Sequence, residues 1–316
     1  MKVLIAGATG NMGEHLIKHL LAKSRHRLRL LVHKTAPLEI FSKHPRVEIC
    51  YGSLTDPLSL QTACDGIDAV ISSAGVLFQP FPERFLRTTN VTYVQNLVDA
   101  AIQAKVGHFI LASFPHVEGE TTPQRPALGI LGPKPDALHA ATRWEAENYL
   151  FKAAQGTRLR PLALRAGFVY GPDVRLMKGA RWLLRHRLMA VWRKPTWIHL
   201  LSIQDYGEAM LRSLDKPRLT GIVNLCDEQP MTLQDFLDKL ADHWGYPRPR
   251  RLPVALFWIA AVATEAVTFA LRLPCPLHRD LLKMGMTSSV ADTSRMKATL
   301  LPKLSVPNFK KGIQGI

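Results

Sequence analysis

The sequence is poor in cysteine: four are scattered through it, Cys50, Cys64, Cys226 and Cys275, with no CxxC and no neighbouring pair of histidines. This excludes a disulfide scaffold and a thiolate metal centre, and points to reduced thiols in a cytoplasmic setting. The 12 histidines show no HExxH-type spacing, so no metal is expected. The apolar stretch at the N-terminus is too short for a secretory core and runs straight into glycines, so no signal peptide is expected. Internal repeats and low-complexity tracts are lacking, which excludes a solenoid or a disordered tail. Acidic residues are scarce: 25 Asp and Glu face 41 Lys and Arg, a formal net charge of +16. That imbalance favours an anionic partner, whether a nucleic acid, an anionic membrane surface or a phosphorylated ligand.

What is present is an ordinary globular chain of 316 residues, 47% hydrophobic and 21% charged. It is long enough for one large domain or two ordinary ones. Short apolar runs at 3–6, 28–32, 47–51, 69–72, 108–112 and 162–164 alternate with helical patterns at 13–22, 58–63, 91–104 and 136–154. Largely apolar strands separated by helices predict an α/β fold: a Rossmann, doubly wound parallel sheet covered on both faces. The expected division is a dinucleotide-binding domain over 1–172 and a smaller, mostly helical substrate region over 173–316, of which 198–228 returns to the sheet. The segment 119–135, rich in Pro, Gly and Thr, is long enough to serve as a lid.

The first strand ends in Gly7-Ala8-Thr9-Gly10-Asn11-Met12-Gly13, which then opens a helix. Glycines are needed there for a tight turn, for close approach of a pyrophosphate to the backbone, and for packing of helix on strand. Residues 7–13 are therefore the expected phosphate cradle. The second strand ends in His33-Lys34, and no acid follows until Glu39. An NAD-selective site places a carboxylate at that point to hold the ribose 2′-hydroxyl. Two basic-capable side chains suit the 2′-phosphate of NADP instead, so NADP is expected over NAD.

With these pieces in place, the sequence resembles the extended or atypical short-chain dehydrogenase/reductases of the NAD-dependent epimerase/dehydratase type, with an NmrA-like start. The matching blocks are GATGNMG at 7–13, GSLTDPLSL at 52–60, GIDAVISSAG at 66–75, Asn90 at the opening of a helix, RAGFVYGP at 165–172, the segment 202–206, and the start of a C-terminal segment at Ala291 and Asp292. The resemblance implies that Ser53, Leu54, Ser73, Ala74, Gly75, Gly167 and Phe168 also face the cofactor. The family's chemistry uses a Ser or Thr, a Tyr acid/base and a Lys four residues further on. Anchoring on Ala146-Glu147 puts His139 at the Tyr position and Arg143 at the Lys position. Anchoring on Val117 and Gly119 puts Phe114 where the catalytic hydroxyl belongs, with Ser113 one residue away. A guanidinium can still donate to the nicotinamide ribose, although it is a poor proton acceptor. A histidine can serve as acid/base near neutrality. His139, Arg143 and Ser113 are thus the candidate catalytic residues, with Arg143 also expected on the cofactor.

The second half is basic and apolar. No acid occurs between Val174 and Gln204, and seven Lys or Arg between 175 and 194 are interleaved with Leu, Met, Trp182 and Trp192. This is either a cleft-covering helix with solvated charges or a cationic amphipathic segment for an anionic membrane. Residues 252–273 are almost wholly apolar, but Glu265 in the middle argues against a span. A buried or dimer-forming helix and a helix lying in the membrane interface both fit. Arg248, Arg250 and Arg251 beside it would each add about 1 kcal/mol of attraction to an anionic surface. Peripheral contact at the cytoplasmic face and an apolar, lipid-like substrate are expected. Nucleic acid is not, since no helix-turn-helix, zinc finger or stacking platform is present. These readings predict an NADP-dependent oxidoreductase acting on an apolar carbonyl or alcohol, with His139 as its acid/base. The substituted triad leaves two other readings open: a redox-inert NADP-binding sensor or assembly subunit, and an isomerase reusing the cleft.

Overall fold

The computed structural model describes residues 1–33, 39–76 and 79–316, with the backbone alone for 39 and 40. Its centre is a seven-stranded parallel sheet. The first half supplies β1 (Lys2–Ala6), β2 (Arg27–Val32), β3 (Val47–Tyr51), β4 (Ala69–Ser72), β5 (His108–Ser113) and β6 (Arg160–Ala166). They alternate with α1 (Asn11–Lys23), α2 (Glu39–Ser42), α3 (Pro57–Cys64), α4 (Tyr93–Gln103) and α5 (Leu138–Ala153). The short β7 (Phe168–Tyr170) is followed by α6 (Arg175–Arg185), β8 (Ala190–Trp192), β9 (Trp197–Ile198), β10 (Leu200–Ser202) and α7 (Ile203–Asp215). Then come β11 (Gly221–Leu225), β12 (Met231–Thr232), α8 (Leu233–Trp244), β13 (Arg250–Leu252), α9 (Val254–Leu271), α10 (Arg279–Met286), α11 (Ser294–Thr299) and α12 (Phe309–Gly312).

Strand order in the sheet is β11-β6-β5-β4-β1-β2-β3. The chain winds outward one way from β1 through β2 to β3, then crosses back to β4 and winds the other way. The reversal falls between β1 and β4, where a doubly wound sheet opens its ligand crevice. Of the segment 198–228, β11 joins this sheet, pairing with β6 from Gly221 beside Leu162 to Leu225 beside Ala166, whereas β9 and β10 pair outside it with β12 and β7.

The alternation within the strands builds two cores. Val3 and Ile5 of β1 face one way, joined by Leu16 and Leu20 of α1, Met210 of α7, Phe236 of α8 and Met296 of α11. Leu4 and Ala6 face the other way, against Leu60 of α3, Leu97 of α4 and Leu150 of α5. The first cluster mixes residues from both halves of the chain, so residues beyond 172 are part of the main core. Local signals set the helix starts. Asp56 caps α3 by accepting from the Leu58 amide, with Pro57 in the first turn. Ser202 caps α7 by accepting from the Asp205 amide. The Asp205 carboxylate in turn accepts the Ser305 and Val306 amides at 2.7 and 3.0 Å, which ties down the C-terminal tail.

Candidate cofactor and reaction site

The loop from β1 into α1 needs glycine at two places. Gly7 has φ +91°, and a β-carbon on it would stand 2.6 Å from the Ala74 nitrogen. A β-carbon on Gly13 would stand 2.1 Å from the Gly7 oxygen. Gly10 differs. Its amide donates to the Gly7 oxygen at 3.0 Å, it caps α1 in an extended conformation, and a β-carbon there would meet only that oxygen, at 3.3 Å. The outer side of Gly10 is thus open at the N-terminus of α1, where amides and the helix dipole favour an anion. Thr9 is exposed and Met12 packs on the core. Asn11 fixes the far wall: its side chain donates to the Asp173 carbonyl at 3.1 Å and accepts the Arg175 amide at 2.9 Å.

Ser73, Ala74 and Gly75 follow β4 on the other side of the crevice, and the Ser73 hydroxyl donates to the Ala6 carbonyl at 3.1 Å. Ser53 and Leu54 follow β3. The Ser53 hydroxyl is 2.7 Å from that of Thr55, and the Leu54 carbonyl accepts from Asn96 at 2.9 Å. His33 is exposed at the end of β2, and Lys34 lies outside the described residues. Gly167 and Phe168 lead from β6 into β7. A β-carbon on Gly167 would meet the His199 carbonyl at 2.2 Å, and the Phe168 ring packs edge-on against Phe236 at 5.5 Å. Packing of β7 on β10 and α8 therefore accounts for the small residue and the aromatic one.

Asn90 sits in a π-helical turn, Arg87–Thr92, that leads into α4. Such a turn was not legible in the sequence, and it aims Asn90 across at α5. The Asn90 amide donates to Thr142 Oγ1 at 3.0 Å, and its carbonyl oxygen accepts from Arg143 Nη2 at 3.3 Å. Arg143 is 6% exposed, and Gly75 lies against it, with Nη2 3.5 Å from where a β-carbon would be. Its Nε and Nη1 are buried with no hydrogen-bond partner among the described residues. Burial lowers its pKa to about 10, offset in part by the Glu147 carboxylate. A guanidinium stripped of water and left with two open donors is costly unless an acceptor completes it. The fit to a dinucleotide rests on this: an open glycine cradle on one side of the crevice and two unused donors beside Gly75 on the other.

One turn before Arg143, the His139 ring is 8% exposed and lies 5.4 Å from the Phe114 ring, tilted by 33°. Burial, together with Arg143, His278 and His116, lowers its pKa to about 3, so the imidazole is neutral. The His139 and Leu138 amides donate to Asp280 of α10 at 3.2 and 2.8 Å, which caps α5 from the C-terminal half. Phe114 also touches His116, with ring centroids 5.8 Å apart. The structure thus brings His139, Arg143, Phe114 and Asn90 to one end of the crevice. Ser113 points elsewhere. Its hydroxyl donates to Glu147, beneath the site.

Glu147 belongs to a buried ionic network that the sequence did not announce. Arg165 is fully buried and donates to Glu147 at 2.6 and 3.1 Å and to Glu118 at 2.5 Å. Glu118 also accepts the Leu128, Gly129 and Ile130 amides at 2.8, 2.8 and 3.2 Å. The segment 119–135 is tied again where the Thr121 amide donates to the Ser288 carbonyl at 2.9 Å, and where Ala127 bridges to Ala291. It is therefore a pinned strap, because Glu118 satisfies the very amides a swinging lid would leave free.

An open glycine cradle at the reversal point of a parallel sheet, facing a buried cation with spare donors, defines an NAD(P)-binding Rossmann protein. Residues 7–160 match the NAD(P)H-binding family. Solved structures share the whole fold. MoeE5 in complex with UDP-glucuronic acid and NAD superposes with a TM-score of 0.78 at 18% identity, covering 100% of this chain and 97% of that one. UDP-glucuronic acid 4-epimerase from Bacillus cereus in complex with NAD gives 0.75 at 18%, covering 100% and 97%. WbmG of Bordetella bronchiseptica in complex with NAD gives 0.76 at 21%, covering 100% and 92%. The chain thus shares the fold of these NAD-bound structures, and its first half matches the NAD(P)H-binding family.

Proposed function

We propose that the protein is an NADP-dependent oxidoreductase acting on an apolar alcohol or carbonyl compound. The buried, unsatisfied guanidinium of Arg143 at the mouth of an intact glycine cradle carries this reading. A retained charge with two idle donors costs stability in a protein that has no ligand for it. The bound dinucleotide supplies the hydride acceptor or donor. Residues 7–13 would hold its pyrophosphate, Arg143 its ribose, and Asn90 would hold Arg143 in place. The acid-free end of β2 supports the 2′-phosphate of NADP.

His139 is the group suited to move the substrate's proton. Neutral and one helical turn from Arg143, it has a lone pair to accept a hydroxyl proton in the oxidising direction. Its low pKa reflects burial first and the neighbouring charge of Arg143 second, so the ring rests as a neutral base. The Phe114 ring at the expected hydroxyl position gives this end of the crevice an apolar wall. That favours an apolar reacting group over a sugar. Ser113 plays no part, because its hydroxyl is committed to Glu147.

Turnover tests the proposal. Formation of reduced NADP would be followed with a panel of apolar primary and secondary alcohols, for the wild type and for His139→Ala. General acid/base catalysis is worth at least about 100-fold, so His139→Ala should slow turnover by that much while binding cofactor as before. Equal rates would remove His139 from the mechanism. Tight cofactor binding with no turnover on any member of the panel would leave the inert-binder reading.

A further inference from the structure

Helix α9 is long and apolar enough to cross a membrane, yet only 17% of it is buried against the protein. Its inner stripe is Ala261, Glu265 and Thr268. Glu265 is 2% exposed and is held by Arg279, whose amide and Nε donate at 2.9 and 2.7 Å. The charge that argued against a span is thus turned inward; Glu265 is the only charged residue between 254 and 271, and the outer face carries Leu256, Ile259, Val262, Val267 and Leu271. A continuous apolar face about 27 Å long is too large to be incidental.

Both ends of α9 return to the same body. Before it, β13 pairs with β8, and Phe257 packs edge-on against Trp192 at 5.6 Å. At the other end, Phe269 packs against Phe81 at 5.0 Å, and α10 caps α5. A helix held at both ends lies flat on the protein and cannot span.

Charge chooses the occupant. At the N-terminal end of α9 a pocket of about 180 Å³ is lined by Leu184, Met189, Pro247 and three arginines, Arg187, Arg248 and Arg250. Arg248 is paired with Asp242 at 2.8 Å, while Arg187 and Arg250 make no ion pair among the described residues. Exposed Trp182 and Leu188 stand close to this pocket in sequence, next to its lining residues Leu184 and Arg187. Arginines on the strand and loop that lead into an exposed apolar helix, with an exposed tryptophan on α6, match the composition of an anionic bilayer interface. A second copy of this chain would bring a second excess of positive charge to the same border.

We propose that α9 lies in the plane of an anionic phospholipid surface, with lipid phosphate received by the arginine pocket at its N-terminal end. This does not depend on the redox reading, and its test measures no turnover. The full chain is sedimented with vesicles of phosphatidylcholine alone and of phosphatidylcholine mixed with phosphatidylglycerol, at low and high salt. Binding to the mixed vesicles should exceed binding to the neutral ones by tenfold or more and should weaken with salt. Ile259→Glu with Val267→Glu should abolish it, and both positions are exposed, so cofactor affinity and melting should be unchanged. Arg187→Glu with Arg250→Glu should cut binding to mixed vesicles by roughly tenfold or more and leave the weak binding to neutral ones. Absence of sedimentation with mixed vesicles, equal binding to both vesicle types, or wild-type binding by the Ile259 and Val267 variant would overturn the proposal. So would a stable dimer in solution that Ile259→Glu converts to monomer, since a second copy would then cover the helix.

Discussion

The rings of Phe114 and His139 lie 5.4 Å apart, at the two positions where the family resemblance expects a catalytic hydroxyl and a tyrosine. Both hydroxyls are thus absent together. An apolar ring and a neutral imidazole stand side by side in their place, one turn of α5 from Arg143. The glycine loop fits a dinucleotide, and the proposed reading gives the proton-moving role to His139.

Gly10 and Gly13 should fail in different ways. Gly10→Asp has room on the open side of the loop, so the protein should fold and melt near the wild-type temperature. It should lose dinucleotide binding, because a carboxylate would meet the pyrophosphate at the helix N-terminus. Gly13→Ala drives a methyl group against the Gly7 carbonyl and should cost several kcal/mol of stability. Melting curves with binding measurements check the pair. Two variants that behave alike would contradict the geometry.

Ser113, Glu147 and Arg165 should behave as structure. Ser113→Ala loses one hydrogen bond and should cost about 1 kcal/mol with no change in turnover. Glu147→Ala leaves the fully buried Arg165 without its principal partner and should cost about 3–5 kcal/mol. Denaturant unfolding measures both. A large loss of turnover in a stable Ser113→Ala protein would return Ser113 to the reaction.

Acid should destabilise the fold. Burial lowers His108, His116 and His199 to about 4 and His139 to about 3, whereas in the unfolded chain each protonates near 6.5. Below about 6.5 the unfolded state therefore binds more protons, and stability falls with pH until the folded state protonates near 4. Burial raises Asp227 to about 7 and also raises Asp280, and raised carboxyls act in the opposite sense. The histidines outnumber them, and the melting temperature should drop between about pH 6.5 and about pH 4.5. A flat or rising melting temperature over that range would show that the rings are not neutral.

The sheet was legible because β1, β2, β4 and β5 are short apolar runs closed by turn signals, and such runs have few other homes. The glycine loop was legible because its context, strand before and helix after, is local. The Glu118–Arg165–Glu147 network was not. Its members lie on separate elements, and each alone reads as a surface charge. A long stretch rich in Pro, Gly and Thr looks free in a sequence, which is why 119–135 reads as a lid although Glu118 holds three of its amides. The composition of α9 was plain, but which side faced out depended on Glu265 finding Arg279, a contact between two helices. The spare donors of Arg143 were visible only once Asn90 was seen to occupy just one of its nitrogens.

The most direct test of the account is calorimetric titration of NADP⁺ and NAD⁺ into the wild type and Arg143→Met. Wild type should bind NADP⁺ more tightly than NAD⁺. Arg143→Met should weaken both by roughly tenfold or more, a loss of at least about 1.4 kcal/mol. Without ligand it should melt at or above the wild-type temperature, because it removes an unsatisfied buried cation. Wild-type affinity in Arg143→Met, or no binding of either dinucleotide to the wild type, would contradict the claim that this arginine is held open for a cofactor.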